Sequence, residues 1–463
     1  VLDGVAVYTW SGSQWTPSGG GPTSSTSTGA LRGVAAFNWD GTAWQPAGRA
    51  GPDVATPYGV LQGVAMFGWN GSAWAAVGAP SLSLDFMTPG ALDPRITFTR
   101  ASTATYTDST GTIQTAATNA PRWDYDPVTH QLRGVLIEEA RTNSTLDSGN
   151  AATSNWSKTQ IGNVAPAVTG NQVTAPDGTL SGAARVVYPA VTAGTSSYIA
   201  PIGPLSTTVS FTFSIWLRGN AGGENLYIMT TSDGVNYART LCVLTTQWQR
   251  FSVTSPNTPQ PVIYCQIGVD LRDGGQSAKP AQTLYVWGAQ VEQGAFATSY
   301  IPTTAASVTR AQDNCVIPAA NMAPWFASPG GSWFVEFMSS LTFGANNRII
   351  GVGGGAGGQT PLFISNGSPT LDQYDGVGVL ATANSSSFGS VMKGASGYSP
   401  STGKICLNGG AVASGAMTGG YASLGGFGFN ILSSQDGFTT GYIRRVSYWP
   451  RVLSDAEMQQ VTT

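Results

Sequence analysis

Few residues in this chain combine the types and spacing that chemistry requires. Two carboxylate pairs stand out, Asp124/Asp126 in "RWDYDP" and Glu138/Glu139 in "LIEEAR". Two acids held about 5–10 Å apart are what glycoside hydrolysis needs, one as proton donor and the other as base or nucleophile. In an extended segment, positions 124 and 126 share a face, whereas 138 and 139 diverge. Between residues 81 and 145, however, Arg95, Arg100, Arg122, Arg133 and Arg141 accompany Asp85, Asp93, Asp108, Asp124, Asp126, Glu138 and Glu139. Cations this close depress carboxylate pKa values and spoil a general acid. The segment reads as an ion-pair network, and no catalytic residue is assigned.

The remaining reactive types are sparse. His130, the sole histidine, follows "DYDPVT" in a turn pattern and has no Ser or Cys nucleophile motif beside it, so it reads as a solvent-facing turn residue. Cys242, Cys265, Cys315 and Cys406 are far apart and form no CxxC, which argues against zinc. Cys242 and Cys265 lie in apolar strand-like runs and read as buried free thiols. "GVGGGAGG" from Gly351 lacks the Lys-Ser/Thr and following helix of a phosphate loop and reads as a surface turn. No cofactor is expected apart from calcium, which two aspartate-bearing turns leave open: "TSDGVNY" with Asp233 and "DLRDGGQ" with Asp270 and Asp273.

The elements that must carry these residues are strands. Of 463 residues only 10% are charged, against a usual quarter, and 60 are Gly. Fourteen Trp, 16 Tyr and 17 Phe supply too much apolar surface for a disordered chain. A net charge of −3 without any Lys/Arg cluster argues against nucleic acid as a partner. No apolar run approaches the roughly 20 residues of a membrane-spanning helix, so membrane insertion is not expected. The length suits two to four units, and a leader upstream of Val1 is left open.

The first eighty residues repeat one phrase: "GVAVYTWSGSQWTPSG" from Gly4, "GVAAFNWDGTAWQPAG" from Gly33 and "GVAMFGWNGSAWAAVG" from Gly63. Each is an apolar stretch ending in Trp, then Ser-Gly, Asp-Gly or Asn-Gly, then a second Trp. That pattern predicts a β-hairpin with a tight turn, at residues 40 and 41 in the second copy. Trp10 and Trp15, Trp39 and Trp44, and Trp69 and Trp74 are then near or diagonal cross-strand neighbours. Isolated hairpins are barely stable in water, so these tryptophans are expected to bury themselves against siblings, identical chains or a larger particle. A sugar- or choline-binding array is the competing reading.

Farther on, "FTFSIWLRG" alternates Phe211, Phe213, Ile215 and Leu217 with Thr212, Ser214, Trp216 and Arg218, as a strand of a two-sheet sandwich does. At the end, "YIRRVSYWP" alternates imperfectly through Ile443, Val446 and Tyr448. "SDAEMQQV" then begins a helix with a Ser454/Glu457 capping box. The wording of "ITFTRASTATYTDSTGTIQTAATNAPRWDYDP" and "LRGVLIEEARTN" resembles a segment of tailed-bacteriophage virion proteins, especially tail-fibre and head-fibre appendages. "NWSKTQ", "SFTFSIWLRG", "TTQWQRFSVT" and "TLYVWGAQVEQGAFATSYIPT" resemble the phage version of a carbohydrate-binding jelly roll, and the final block resembles a concanavalin- or laminin-G-like sandwich.

The expected architecture is therefore all-β: N-terminal hairpin repeats for virion attachment (1–80), a charged extended connector (81–145), and two antiparallel β-sandwich domains. The first is a jelly roll (146–306) and the second a laminin-G-like sandwich (307–463). The resemblance implies a non-enzymatic structural protein of the virion, a homotrimer contacting other tail, neck or capsid proteins and adhering to host cell-surface glycans. The six hairpin tryptophans are the expected anchoring residues, and Trp216, Tyr227 and Trp248 the expected glycan-binding residues. A tailspike-like polysaccharide depolymerase and a capsid or neck decoration protein are the alternatives.

Overall fold

The computed structural model describes residues 80–463 apart from 202–209, 232–236, 256–263, 272–277, 323–324, 327–329, 340–346, 353–358, 365–369, 375–378, 385–389, 418–426, 430–436 and 439, and before residue 80 the strands alone. The fold is all-β, with several antiparallel sheets and a single α-helix among the described residues. Two compact units are present, Val1–Pro80 and Ser81–Thr463.

In the first unit the three repeats form hairpins: Ala6–Trp10 with Trp15–Gly20, Phe37–Trp39 with Trp44–Pro46, and Met66–Trp69 with Trp74–Val77. Each pairs its tryptophans directly: Trp10 with Trp15, Trp39 with Trp44, Trp69 with Trp74. The turn expected at residues 40 and 41 lies outside the described residues. A further hairpin, Val54–Thr56 with Gly59–Leu61, was not anticipated, because the Pro-Tyr between its strands carries no hairpin signature.

The second unit departs from a linear order of connector and two sandwiches. Residues 81–145, expected to be an extended connector, supply strands to the terminal sandwich. Leu82–Asp85 and Leu132–Ile137 both pair with Gly441–Trp449, Trp123–Tyr125 pairs with Leu132–Ile137, and Thr97–Thr99 pairs with Asn314–Ile317. One terminal sheet continues from Gly441–Trp449 through Gly331–Ser339, Val391–Tyr398 and Thr402–Leu407 to Ala413–Ala416. The facing sheet runs from Thr97–Thr99 and Asn314–Ile317 through Phe427–Phe429 and Asn347–Val352 to Val379–Asn384. The jelly roll is thus an insertion within this sandwich. Its neck is a short antiparallel pair, Arg141–Asn143 with Val308–Arg310. Buried Asn143 closes the neck, donating to the Ala289 and Ile301 carbonyls and accepting from the Thr145 and Val291 amides.

Side-chain pattern explains both sandwiches. The terminal core joins Leu82, Val135, Trp333 and Tyr448 of one sheet to Ile317, Ile350 and Phe427 of the other. Trp333 stacks on Phe427 at 4.6 Å between centroids, and burying each such side chain stabilises by roughly 1.5–3 kcal/mol. The imperfect alternation near the C-terminus is a β-bulge: Glu336 pairs with Arg445 and Phe337 with Ile443, so Arg444 is the extra residue. Ile443, Val446 and Tyr448 therefore all reach the core despite their uneven spacing. The helix Asp455–Thr462 follows, capped by Ser454 and Glu457 as expected.

The jelly roll packs two five-stranded antiparallel sheets. Phe211, Phe213, Ile215 and Leu217 enter its core. Their polar alternates Thr212 and Ser214 are also buried, so the Phe211–Gly219 strand is covered on both faces. On the second face lies the charged segment.

Candidate functional site

Two polar structures form where the leading segment, the inserted jelly roll and the returning chain meet. The first is a buried ion cluster. Arg122 donates to Glu138 at 2.7 Å and to Asp313 at 2.5 Å, Arg100 donates to Asp313 at 2.9 Å, and Arg310 lies in an ion pair with Glu138 at 2.9 Å. All five are at most 1% exposed. Ser299 of the jelly roll donates to Glu138 through its amide (2.7 Å) and hydroxyl (2.6 Å). Burial alone would raise the Glu138 carboxyl, but Arg310, Arg122 and Ser299 outweigh it and hold it at about 2. Burial also works against the arginine charges. Arg122, facing two carboxylates, still has its pKa raised, whereas those of Arg100 and Arg310 are lowered. With every carboxylate oxygen occupied, the cluster is structural.

The second structure is a cleft of about 820 Å³, within the roughly 300–1,000 Å³ of small-ligand sites. The leading segment lines it with Tyr106, Asp124, Asp126 and Arg133, the jelly roll with Trp216, Trp248, Arg250 and Tyr300, and the returning chain with Ser339, Tyr442 and Arg444. Tyr106, Trp248 and Tyr442 are half-buried, so aromatic surface faces the opening. Along one wall runs a hydrogen-bonded rail. Arg133 donates to Asp126 (2.6 Å) and to the Tyr442 hydroxyl (3.1 Å), which donates to Asp124 (2.8 Å), which accepts the Thr107 amide (2.6 Å). The bulged Arg444 braces the rail, donating to Glu336 at 2.7 Å and to the Arg133 carbonyl at 3.1 Å.

On the jelly-roll wall Arg250 lies over the Trp216 ring, 5.9 Å from its centroid, and donates to the Thr298 carbonyl and the Ser214 hydroxyl. Gly288, at φ +67°, forms the bulge that seats Trp216 opposite Trp287, and a Cβ there would come within 2.8 Å of the Trp216 ring.

The carboxylates behave less uniformly than their arginine neighbours suggest. Asp126 and Glu138 are depressed to about 2. Asp124 and Glu139 are raised instead, because burial outweighs the hydrogen bonds and nearby cations. Glu138 and Glu139 diverge as expected, Glu139 pairing with Arg141. Arg95 pairs with Asp93, Arg133 with Asp126, and Arg141 with Glu139. Asp313 and Arg310 went unassigned in the sequence because they lie some 170 or more residues from the partners they hold.

Among the glycan-binding residues expected from sequence, Trp248 is half-buried at the cleft, whereas Trp216, although it borders the cleft, is 6% exposed and packs with Ile113, Trp287 and Tyr300 as core, because its strand is covered on both faces. Tyr227 does not line the cleft: it sits in the other jelly-roll sheet, with the Lys279 ammonium 5.8 Å from its ring centroid. His130 is an exposed turn residue at φ +57°, and all four cysteines are buried and free. Of the calcium turns, Asp233 and Asp273 lie outside the described residues, and Asp270 is buried in the Tyr264–Asp270 strand. No cluster of three or more His, Cys, Asp or Glu suited to a metal occurs among the described residues. Nor is any helix there long and apolar enough to cross a membrane.

No family model and no curated protein matches the chain. Among solved structures, a carbohydrate-binding module (CBM40) of the Ruminococcus gnavus IT-sialidase bound to α2,3-sialyllactose is similar over 29% of this chain and 83% of its own, at 16% identity and a TM-score of 0.25. Domain 4 of the Geobacillus stearothermophilus arabinanase AbnA with arabinotriose covers 37% and 84%, at 10% identity and 0.27. Mouse laminin α1 domains LG4-5 cover 54% and 88%, at 13% identity and 0.20. Similarity of this degree assigns neither a family nor a ligand.

Proposed function

We propose that the protein is a bacteriophage virion component that adheres to host-surface glycans through the cleft without cleaving them. The observation that carries the glycan reading is the lining of the cleft: half-buried Tyr106, Trp248 and Tyr442 beside the fixed guanidinium of Arg133. Sugars present apolar ring faces edged by hydroxyls, and aromatic planes with adjacent planar polar groups complement both. Such contacts are individually weak, and a homotrimer multiplies them through effective concentration. The virion location rests on the wording of residues 96–127 and 132–143. The paired tryptophans at 10/15, 39/44 and 69/74 attach the chain to neighbouring virion proteins, since two-stranded hairpins cannot bury such rings alone.

One observation runs towards the depolymerase alternative: burial raises the Asp124 carboxyl above its ordinary value, the direction in which a general acid is tuned. Its two oxygens already accept from Thr107 and Tyr442, and Asp126 is held by two backbone amides and Arg133. That engagement supports binding over hydrolysis. The test is an array of bacterial surface polysaccharides probed with the wild type and with Trp248→Ala and Arg133→Ala. Binding should fall at least tenfold in both variants, and equal binding would overturn the cleft assignment. Release of reducing sugar from a bound polysaccharide would establish the depolymerase instead.

A further inference from the structure

We infer that a second pocket, wholly within the jelly roll, binds a neutral hydroxyl-rich ligand of the size of a pyranose unit. The pocket is an open depression of about 550 Å³, lined by Asp147, Gly149, Asn150, Asp177, Leu180 and Trp287 among others. It adjoins the cleft through one aromatic contact: Trp287 lines the pocket, Tyr300 lines the cleft, and their rings lie 4.5 Å apart.

Three features point to a ligand. Trp287 is only 6% exposed, yet its indole nitrogen has no hydrogen-bond partner among the described residues. That of Trp216 is sealed off, whereas the Trp287 nitrogen keeps access beside the bare face of Gly149, where a Cβ would stand 3.3 Å away. Asp147 and Asp177 each spend one oxygen internally, on the Asn155 side chain (2.8 Å) and the Thr179 amide (3.0 Å), and each keeps the other. Finally, the described residues include six non-glycine positions with positive φ, and three of these, Asp147, Asn171 and Ser181, line this pocket. Such backbone is held at a cost and concentrates at functional sites.

The chemistry narrows the class. Among the described residues no lysine or arginine lines the pocket, so two carboxylates repel an anionic ligand. A bare cation would satisfy the carboxylates and leave the indole N–H facing positive charge. Hydroxyl groups both donate and accept, so adjacent hydroxyls can donate to Asp177 and Asp147 while one accepts from Trp287. Leu180, 82% exposed at the rim, offers apolar surface to a ring face.

The test is an NMR titration of the full chain, following the Trp287 indole resonance, assigned with Trp287→Phe. The probes are the methyl α-glycosides of glucose, galactose and mannose, N-acetylglucosamine, and calcium chloride. At least one sugar should shift the resonance saturably, with affinity at least tenfold weaker in Asp177→Asn and unchanged in Trp248→Ala. Thermal midpoints close to that of the wild type would show that the variants fold. No saturable shift from any sugar, equal affinity in Asp177→Asn, or a shift with calcium chloride alone would each overturn the inference. The cleft is tested apart from this: polysaccharide binding on the array that is lost in Trp248→Ala and kept in Asp177→Asn leaves the cleft standing whatever the titration shows, and a saturable indole shift weakened in Asp177→Asn leaves the pocket standing whatever the array shows.

Discussion

The terminal sandwich core and the ion cluster beside the jelly roll are both fully buried, yet they hold the molecule by different physics. In the core, Trp325, Trp333, Phe427 and Tyr448 contact one another edge-on, tilted or stacked at 4.5–6.3 Å, and their contribution scales with area removed from water. In the cluster, three arginines share two carboxylates, and what matters is pairing rather than area. A core side chain can be exchanged for one of similar volume at small cost. A buried charge has no such substitute, because removing its partner leaves it desolvated and uncompensated. Charge pairing in the junction and volume in the core thus set the cost of a changed side chain by different rules.

The sharpest way to break this comparison is Asp313→Asn. The change is nearly isosteric, but it leaves Arg100, Arg122 and Arg310 facing Glu138 alone, and about 3–5 kcal/mol of unfolding free energy should disappear. Arg122→Met removes one cation from the excess side and should cost clearly less. Chemical denaturation of the two variants decides the point, and a loss near zero in the isosteric Asp313→Asn would show that the cluster acts by volume after all.

Acid offers a second separation. Glu138 sits at about 2 in the folded protein, below the roughly 4.3 of an unfolded glutamate. A lowered carboxylate pKa gives stability that is complete above the unfolded value and drains away as pH falls through 4 towards 2. Asp124, raised by burial, works with the opposite sign and offsets part of the loss. Denaturation midpoints measured from pH 7 to pH 3 should fall for the wild type, with a shallower slope in Glu138→Gln. In the core, Phe337→Leu should cost under about 1.5 kcal/mol, with the same pH slope as the wild type.

How much of this was legible depended on sequence distance. The hairpins, the Phe211–Gly219 strand and the capped C-terminal helix follow local rules of alternation, turns and caps, and each appears where those rules put it. The nesting of one sandwich inside the other was not readable, because it depends on Leu82–Asp85 and Leu132–Ile137 meeting Gly441–Trp449 some 300 residues later. Trp248 could be picked as an exposed-aromatic candidate, but the same reasoning also picked Trp216, which is buried, and it could not find Tyr442 and Arg133. Their roles come from the β-bulge at Arg444 and from a hydrogen bond between side chains 309 residues apart. Nor does composition show which carboxylates burial will raise: Asp124 and Asp126 are two residues apart with the same cation beside them, and their pKa values move in opposite directions.

The smallest expected effect is the control that gives the large one its meaning. Arg95 and Asp93 make the same kind of contact as the buried cluster, with Arg95 donating to both carboxylate oxygens at 2.8 Å, but their side chains are 33% and 25% exposed. Water already solvates much of each charge, so losing the partner strands little, and the screened attraction is worth about 0–1 kcal/mol. Arg95→Ala should accordingly move the denaturation midpoint slightly, and less at high salt than at low. A loss comparable to that of Asp313→Asn would mean that burial is not what separates the two pairs, and the contrast between junction and surface would have to be rebuilt on geometry alone.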